Sequence, residues 1–142
     1  MGQALINKGT SIKAGPSIVF DEWTVETNDG SAVINLWKYS SGAAAGTDWT
    51  YNCHGFTFGN SQYWINGQFD AILLGDGYTE ITGTDKTGAK VAWWGGNIHT
   101  AKNIIVPSGT VTSVTGKRGA EVGLTISTPA GQNYPGTIRY YE

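Results

Sequence analysis

Cysteine is almost missing from this sequence: Cys53 is the only one among 142 residues. A lone cysteine closes no internal disulfide, and without a CxxC pair there is no thiolate metal site. The chain therefore works without a disulfide framework, either in the cytoplasm or exported by a dedicated secretion system. Charge is scarce as well. Nine Lys and Arg stand against eleven Asp and Glu, 14% of the residues, for a formal net charge of −2. No basic face advertises nucleic acid or an anionic membrane surface. No apolar run approaches the roughly 20 residues of a membrane span. The opening "MGQALINKGTSIKAGPS" lacks the charged-then-apolar layout of a signal peptide. Met1-Gly2 begins a myristoylation pattern, but Ile6 stands where Ser or Thr is wanted. Histidine occurs only twice, as His54 and His99, so any general base of that type is one of two residues.

What the chain does have is glycine and aromatic surface: 21 Gly, six Trp and seven Tyr. That composition suits a β-rich, loop-rich protein that packs a small core or stacks on sugars. The length fits one domain, residues 1–142. Residues 17–23, "SIVFDEW", and 31–39, "SAVINLWKY", read as strands around the turn "TNDG", making an N-terminal hairpin extension over about residues 1–46. "NGQFDAILLGDGY" predicts a short helix, with Asn66 as cap, Phe69, Ile72 and Leu73 at helical spacing and Gly75 as the stop. After it come "AKVAWW", "IHTAKNIIV", "GTVTSVTG" and "GLTIST", all strand-like, with turn residues in "GGN", "PSG" and "KRGAE", and a closing "TIRYYE". The order is hairpin, Cys segment, short helix and a meander of four or five strands, an α+β layout.

The segment around the cysteine raises the functional question. A free Cys is most often a small buried hydrophobe. In "TDWTYNCHGFTF", however, Cys53 precedes an aromatic run able to start a helix. The free N–H groups and dipole of a first helical turn would lower a thiol's pKa toward the reactive thiolate. Gly55 lets another backbone approach closely. A nucleophile also needs a base. His99 heads a strand, with small Thr100 and Ala101 behind it, and can face a helix packed across the sheet. His54 is the competing base. Being next to Cys53 in a helix it should point elsewhere, which makes it a substrate-side or capping residue.

These residues resemble the NlpC-type papain-like cysteine peptidases and the related CHAP amidases. The match runs through "NCHG" (52–55), "AKVAWW" (89–94), "HTA" (99–101), "GKRG" (116–119) and the closing "YPGTIRYYE" (134–142). It covers roughly residues 47–142. Asn52 stands where the family usually has an acidic residue, and the family's Gly-Asp before the first core strand is absent. The resemblance implies a papain-like core, with the catalytic Cys at a helix N-terminus packed on a small antiparallel sheet. It also implies attack of the Cys53 thiolate on an amide with His99 as base, no cofactor, and a third polar residue orienting the imidazole. Counting along the strand that returns after "PSG" places Ser113 or Thr115 near that ring, with Glu121 a remote alternative; ordinary β-propensity explains the same hydroxyls.

The family's usual substrate is a stem-peptide bond or the sugar–peptide amide of peptidoglycan. Asn52, His54, Trp49, Tyr51, Trp64 and Trp94 are the candidate substrate-binding residues, with Tyr63 and Trp93 beside them, although core packing accounts for many such aromatics. A secreted antibacterial effector or lysis protein would suit the size, acting as a monomer, with an immunity or inhibitor protein as partner. Two other classes stay open. One is a papain-like deamidase, transglutaminase or acyltransferase; the other is a noncatalytic, β-rich carbohydrate-binding module with Cys53 buried and inert.

Overall fold

The computed structural model describes residues 1–2, 5–14, 17–42 and 45–142; the centre of the "SSGAAAG" block, 43–44, lies outside them. The architecture is α+β, with two antiparallel sheets. The first sheet holds β1 (Leu5–Ala14), β2 (Ile18–Glu26) and β3 (Val33–Ser41) in that order. β2 and β3 form the hairpin expected from the alternating apolar residues, with Thr24 opposite Asn35 and Val25 opposite Ile34. β1 adds a strand that the reading of the sequence missed. It is an edge strand, with Asn7 through Ser11 exposed and a register irregularity between Asn7 and Ser11. A polar, bulged edge leaves little apolar signal to read.

Two short helices follow. α1 spans Cys53–Phe58 and α2 spans Phe69–Gly75. The cap of α2 is Gln68, in left-handed conformation, instead of Asn66. Its side chain accepts from Asn35 N (2.9 Å) and donates to the Val33 carbonyl (3.2 Å), tying the helix start to β3. Gly75 ends α2 inside it, where any Cβ would collide with Thr27. The helix-forming residues Phe69, Ile72 and Leu73 are buried, as their spacing requires.

The second sheet has the order β7-β6-β5-β4-β8, from β4 (Val91–Trp94), β5 (His99–Ile105), β6 (Ser113–Gly116), β7 (Thr125–Ser127) and β8 (Ile138–Tyr141). Strands β4 to β7 meander, and β8 returns to pair with β4 on its far side. The turn between β4 and β5 is tight because Gly96 and Asn97 both take positive φ, and it sets Trp94 opposite His99. Val91 and Trp93 point into a core shared with Val25, Ile34 and Leu36 of the first sheet, with α2 and with Phe58. Ala92 and Trp94 point the other way, against Ala101, Val114 and Tyr140. One strand thus serves two cores, and α1 packs on the β5 side of the sheet. Among the described residues no helix is long and apolar enough to cross a membrane.

Candidate active site

The start of α1 is fixed by Asn52. Its Oδ1 accepts from Gly55 N (2.9 Å) and Ile65 N (3.1 Å), and its Nδ2 donates to the Ile65 carbonyl (2.9 Å). Asn52 is therefore the helix cap, buried with both ends of its amide engaged by the chain's own backbone. A Cβ at Gly55 would land on the Tyr63 carbonyl, so the backbone approach expected at that glycine is real. Cys53 follows the cap, 6% exposed. The N–H groups of Thr100, His54 and Cys53 itself lie where they would stabilise a thiolate. Burial outweighs them and pushes the thiol up to about 11. The activation expected from the helix terminus is thus reversed by desolvation, and the resting cysteine is a neutral thiol.

His99, the first residue of β5, is completely buried. Its ring stacks on Tyr134 (centroids 4.0 Å, 13° between planes) and meets the edge of Trp94 at 4.9 Å. Nε2 lies 3.0 Å from Gln132 Oε1. The amide of Gln132 has its orientation set from behind, because Nε2 of Gln132 donates to the Thr125 carbonyl (3.0 Å) and to Ser127 Oγ (2.9 Å). Oε1 can then only accept, so the imidazole carries its proton on Nε2 and presents a bare lone pair on Nδ1. Nδ1 is buried with no hydrogen-bond partner. Burial pulls His99 down to about 4, against the Gln132 hydrogen bond, which favours the protonated ring, while nearby Arg118 lowers it further. At neutral pH the ring is an uncharged base. The Thr100 N–H that reaches the sulfur belongs to the residue after His99, and no hydrogen bond joins Nδ1 to Cys53.

The orienting residue is Gln132, and the assignment to Ser113 or Thr115 is corrected. Ser113 pairs with Ile105 at the other end of β6, and Thr115 pairs with Lys102. The β6 residue that reaches His99 is Gly116, where a Cβ would collide with Gln132 Oε1 and His99 Nε2. Glu121 is engaged elsewhere, 3.3 Å from Arg118. His54 is corrected too. It is buried under α1 with its ring 3.9 Å from that of Phe69. Its Nδ1 lies 2.9 Å from Thr100 Oγ1, which donates to Thr57 Oγ1 (3.1 Å), which in turn donates to the Cys53 carbonyl (2.9 Å). The Asn97 carbonyl also faces the ring. Burial, with His99 nearby, drives His54 down to about 3. It is a pin between α1 and β5.

No family model, no curated protein and no solved structure matches this chain. The aromatic residues divide into separate groups. Trp94 is 1% exposed beneath His99, and Trp93 and Tyr63 are core residues, so these do not face a substrate. Trp49 and Trp64 stack at 5.2 Å beside Phe20, half-buried against the first sheet. Tyr51 lies under the Lys117 ammonium. Two concavities, of about 510 and 390 Å³, share Thr57 and Tyr78 toward the far end of α1, and neither is lined by Cys53 or His99.

Proposed function

We propose that the chain is a cysteine-dependent amide hydrolase of the NlpC-type, papain-like class, with Cys53 as nucleophile and His99 as base. One observation carries this reading. Gln132 holds the Nε2 proton of His99 and leaves Nδ1 bare and buried, while the N–H of Thr100, next to it in the chain, reaches the cysteine sulfur. A buried acceptor without a donor costs free energy in a merely structural histidine, and a base awaiting a proton is the use that explains it. Apo hydrogen bonds between nucleophile and base are often long and tighten only with substrate.

The chemistry follows from the resting charges. Thiol and imidazole are both neutral, so Nδ1 takes the S–H proton as the sulfur attacks the amide carbonyl. The backbone N–H of Cys53 serves the resulting oxyanion. The imidazolium then gives its proton to the departing nitrogen, leaving a thioester, and water activated by Nδ1 resolves it and restores the thiol. Peptidoglycan stem peptides or the sugar–peptide amide are the substrates of this reading. A deamidase or acyltransferase would run the same first half with another amide or acceptor. The test is digestion of purified peptidoglycan with wild type and with Cys53→Ala, followed by mass spectrometry of the fragments. New amine or carboxyl termini from the wild type alone support the proposal. Alkylation of Cys53 by iodoacetamide only after denaturation would remove it, in favour of a noncatalytic module.

A further inference from the structure

Lys117 follows Gly116 directly at the end of β6 and is 0% exposed. A lysine in that position ordinarily needs a carboxylate partner. This one has none in contact. Its ammonium donates instead to three backbone carbonyls: Gly119 (2.7 Å), Tyr51 (2.8 Å) and Asp48 (3.0 Å). It also lies 4.7 Å from the centre of the Tyr51 ring. All three donors of the ammonium are matched, which is what makes its burial tolerable. Two of the carbonyls belong to residues 48–51, the stretch that delivers the chain into the Asn52 cap and Cys53. A further bond from Asp48 N to the Ala120 carbonyl (2.7 Å) closes that stretch against the loop after β6. The Tyr51 carbonyl that it holds stands two residues before Cys53, and the sulfur, Asp48 and Glu121 are all near enough to act on the ammonium.

We infer that Lys117 is the positioning residue of the nucleophile: its ammonium clamps the segment leading into Cys53 and sets a buried positive charge beside the sulfur. This rests on the hydrolase reading and deepens it. Consecutive residues at the end of β6 then serve the two halves of the site, Gly116 by leaving room for the His99–Gln132 pair and Lys117 by holding the cysteine side. Asp48 and Glu121 act on the ammonium without contacting it, and the remaining field favours a charge that appears during reaction, on the sulfur as it loses its proton.

The test is the rate of Cys53 alkylation by iodoacetamide against pH, in wild type and Lys117→Met, with thermal melting as the check on folding. The reagent is neutral, so surface charge does not bias its approach. Loss of the charge should slow alkylation at pH 8 about tenfold, as a tenfold smaller thiolate fraction requires. A purely structural clamp moves the rate the other way, because a loosened segment exposes the sulfur. An unchanged or faster rate at pH 8 in a cooperatively melting variant overturns the inference and leaves the hydrolase reading intact. A wild type that alkylates only when denatured overturns both. If Lys117→Met does not fold, Lys117→Gln keeps amide donors for the carbonyls without the charge and takes the same two measurements.

Discussion

His54 and His99 are both buried beside α1 and β5, yet their surroundings leave the two rings in opposite conditions. His54 has Thr100 Oγ1 at Nδ1, the Asn97 carbonyl facing it and Phe69 against its face. His99 is gripped on one nitrogen by Gln132 and on its face by Tyr134, while Nδ1 has no partner. Burial lowers both, to about 3 and about 4, so pKa alone does not separate a pin from a base. What separates them is the accounting of hydrogen bonds. A ring whose polar atoms are engaged holds elements together; a ring with one atom left over, and its tautomer fixed, is the one that the proposed chemistry can use.

The strongest way to break this comparison is to remove each ring. Cys53→Ala and His99→Ala should each lower kcat by about 10⁴-fold or more, since residues that act as a unit fail together, with the fold retained by circular dichroism. His54→Ala should keep part of the activity and instead lose about 2–4 kcal/mol of stability in denaturant melts, from the cavity and the orphaned hydroxyl it leaves. A dead His54→Ala with an active His99→Ala would exchange the two roles. Next in size is the orienting amide. Gln132→Ala, and Gly116→Ala by steric collision with the same pair, should cut kcat about 10- to 100-fold, or 1.4 to 2.7 kcal/mol of transition-state stabilisation, with little change in KM.

Acid sharpens the comparison by acting on both rings at once. Each histidine has a folded value below its ordinary 6.5, so the unfolded chain takes up protons first as pH falls. Stability is full above about pH 6.5. It then drops by up to about 1.36 kcal/mol per pH unit for each histidine, and His99 stops contributing near 4 and His54 near 3. Urea melts between pH 6.5 and 4.5 should show this slope, and His54→Gln should about halve it. The smallest effect should come from the hydroxyls first expected to orient His99. Ser113→Ala and Thr115→Val should leave kcat within about twofold, because neither hydroxyl bonds the ring and surface or strand substitutions of this kind perturb little.

Much of this was legible before any coordinates. Strands β2 to β8 announce themselves by alternation and turn residues, and the aromatic run after Cys53 marks a helix start, whereas Asn52, expected at the substrate, proves to be its cap. That His54 turns away from the cysteine sulfur also follows from helix geometry, its ring lying on Phe69 and Thr100. The rest depends on distance in sequence. Gln132 lies in a short 3₁₀ turn, in "PAGQN", and reaches His99 only because β7 places Thr125 and Ser127 behind it. Nothing local distinguishes it from a surface glutamine. Lys117 in "GKRG" has the look of a solvated turn charge, and only the fold reveals the three carbonyls around it. The thiol's rise to about 11 is equally invisible locally, since helix position and desolvation oppose each other and burial decides.

The return of β8 to the far side of β4 has a consequence in time. β4 stays an open edge, with Val91 to Trp94 unpaired on that side, until residues 138–141 are made and dock. The grip on His99 likewise awaits Gln132 and Tyr134, 33 residues or more behind it. Contacts this remote are slow to close and form after local ones. During synthesis, Cys53 and α1 therefore leave the ribosome well ahead of the residues that hold the His99 ring. The half-made chain carries Cys53 before the residues that grip His99 exist.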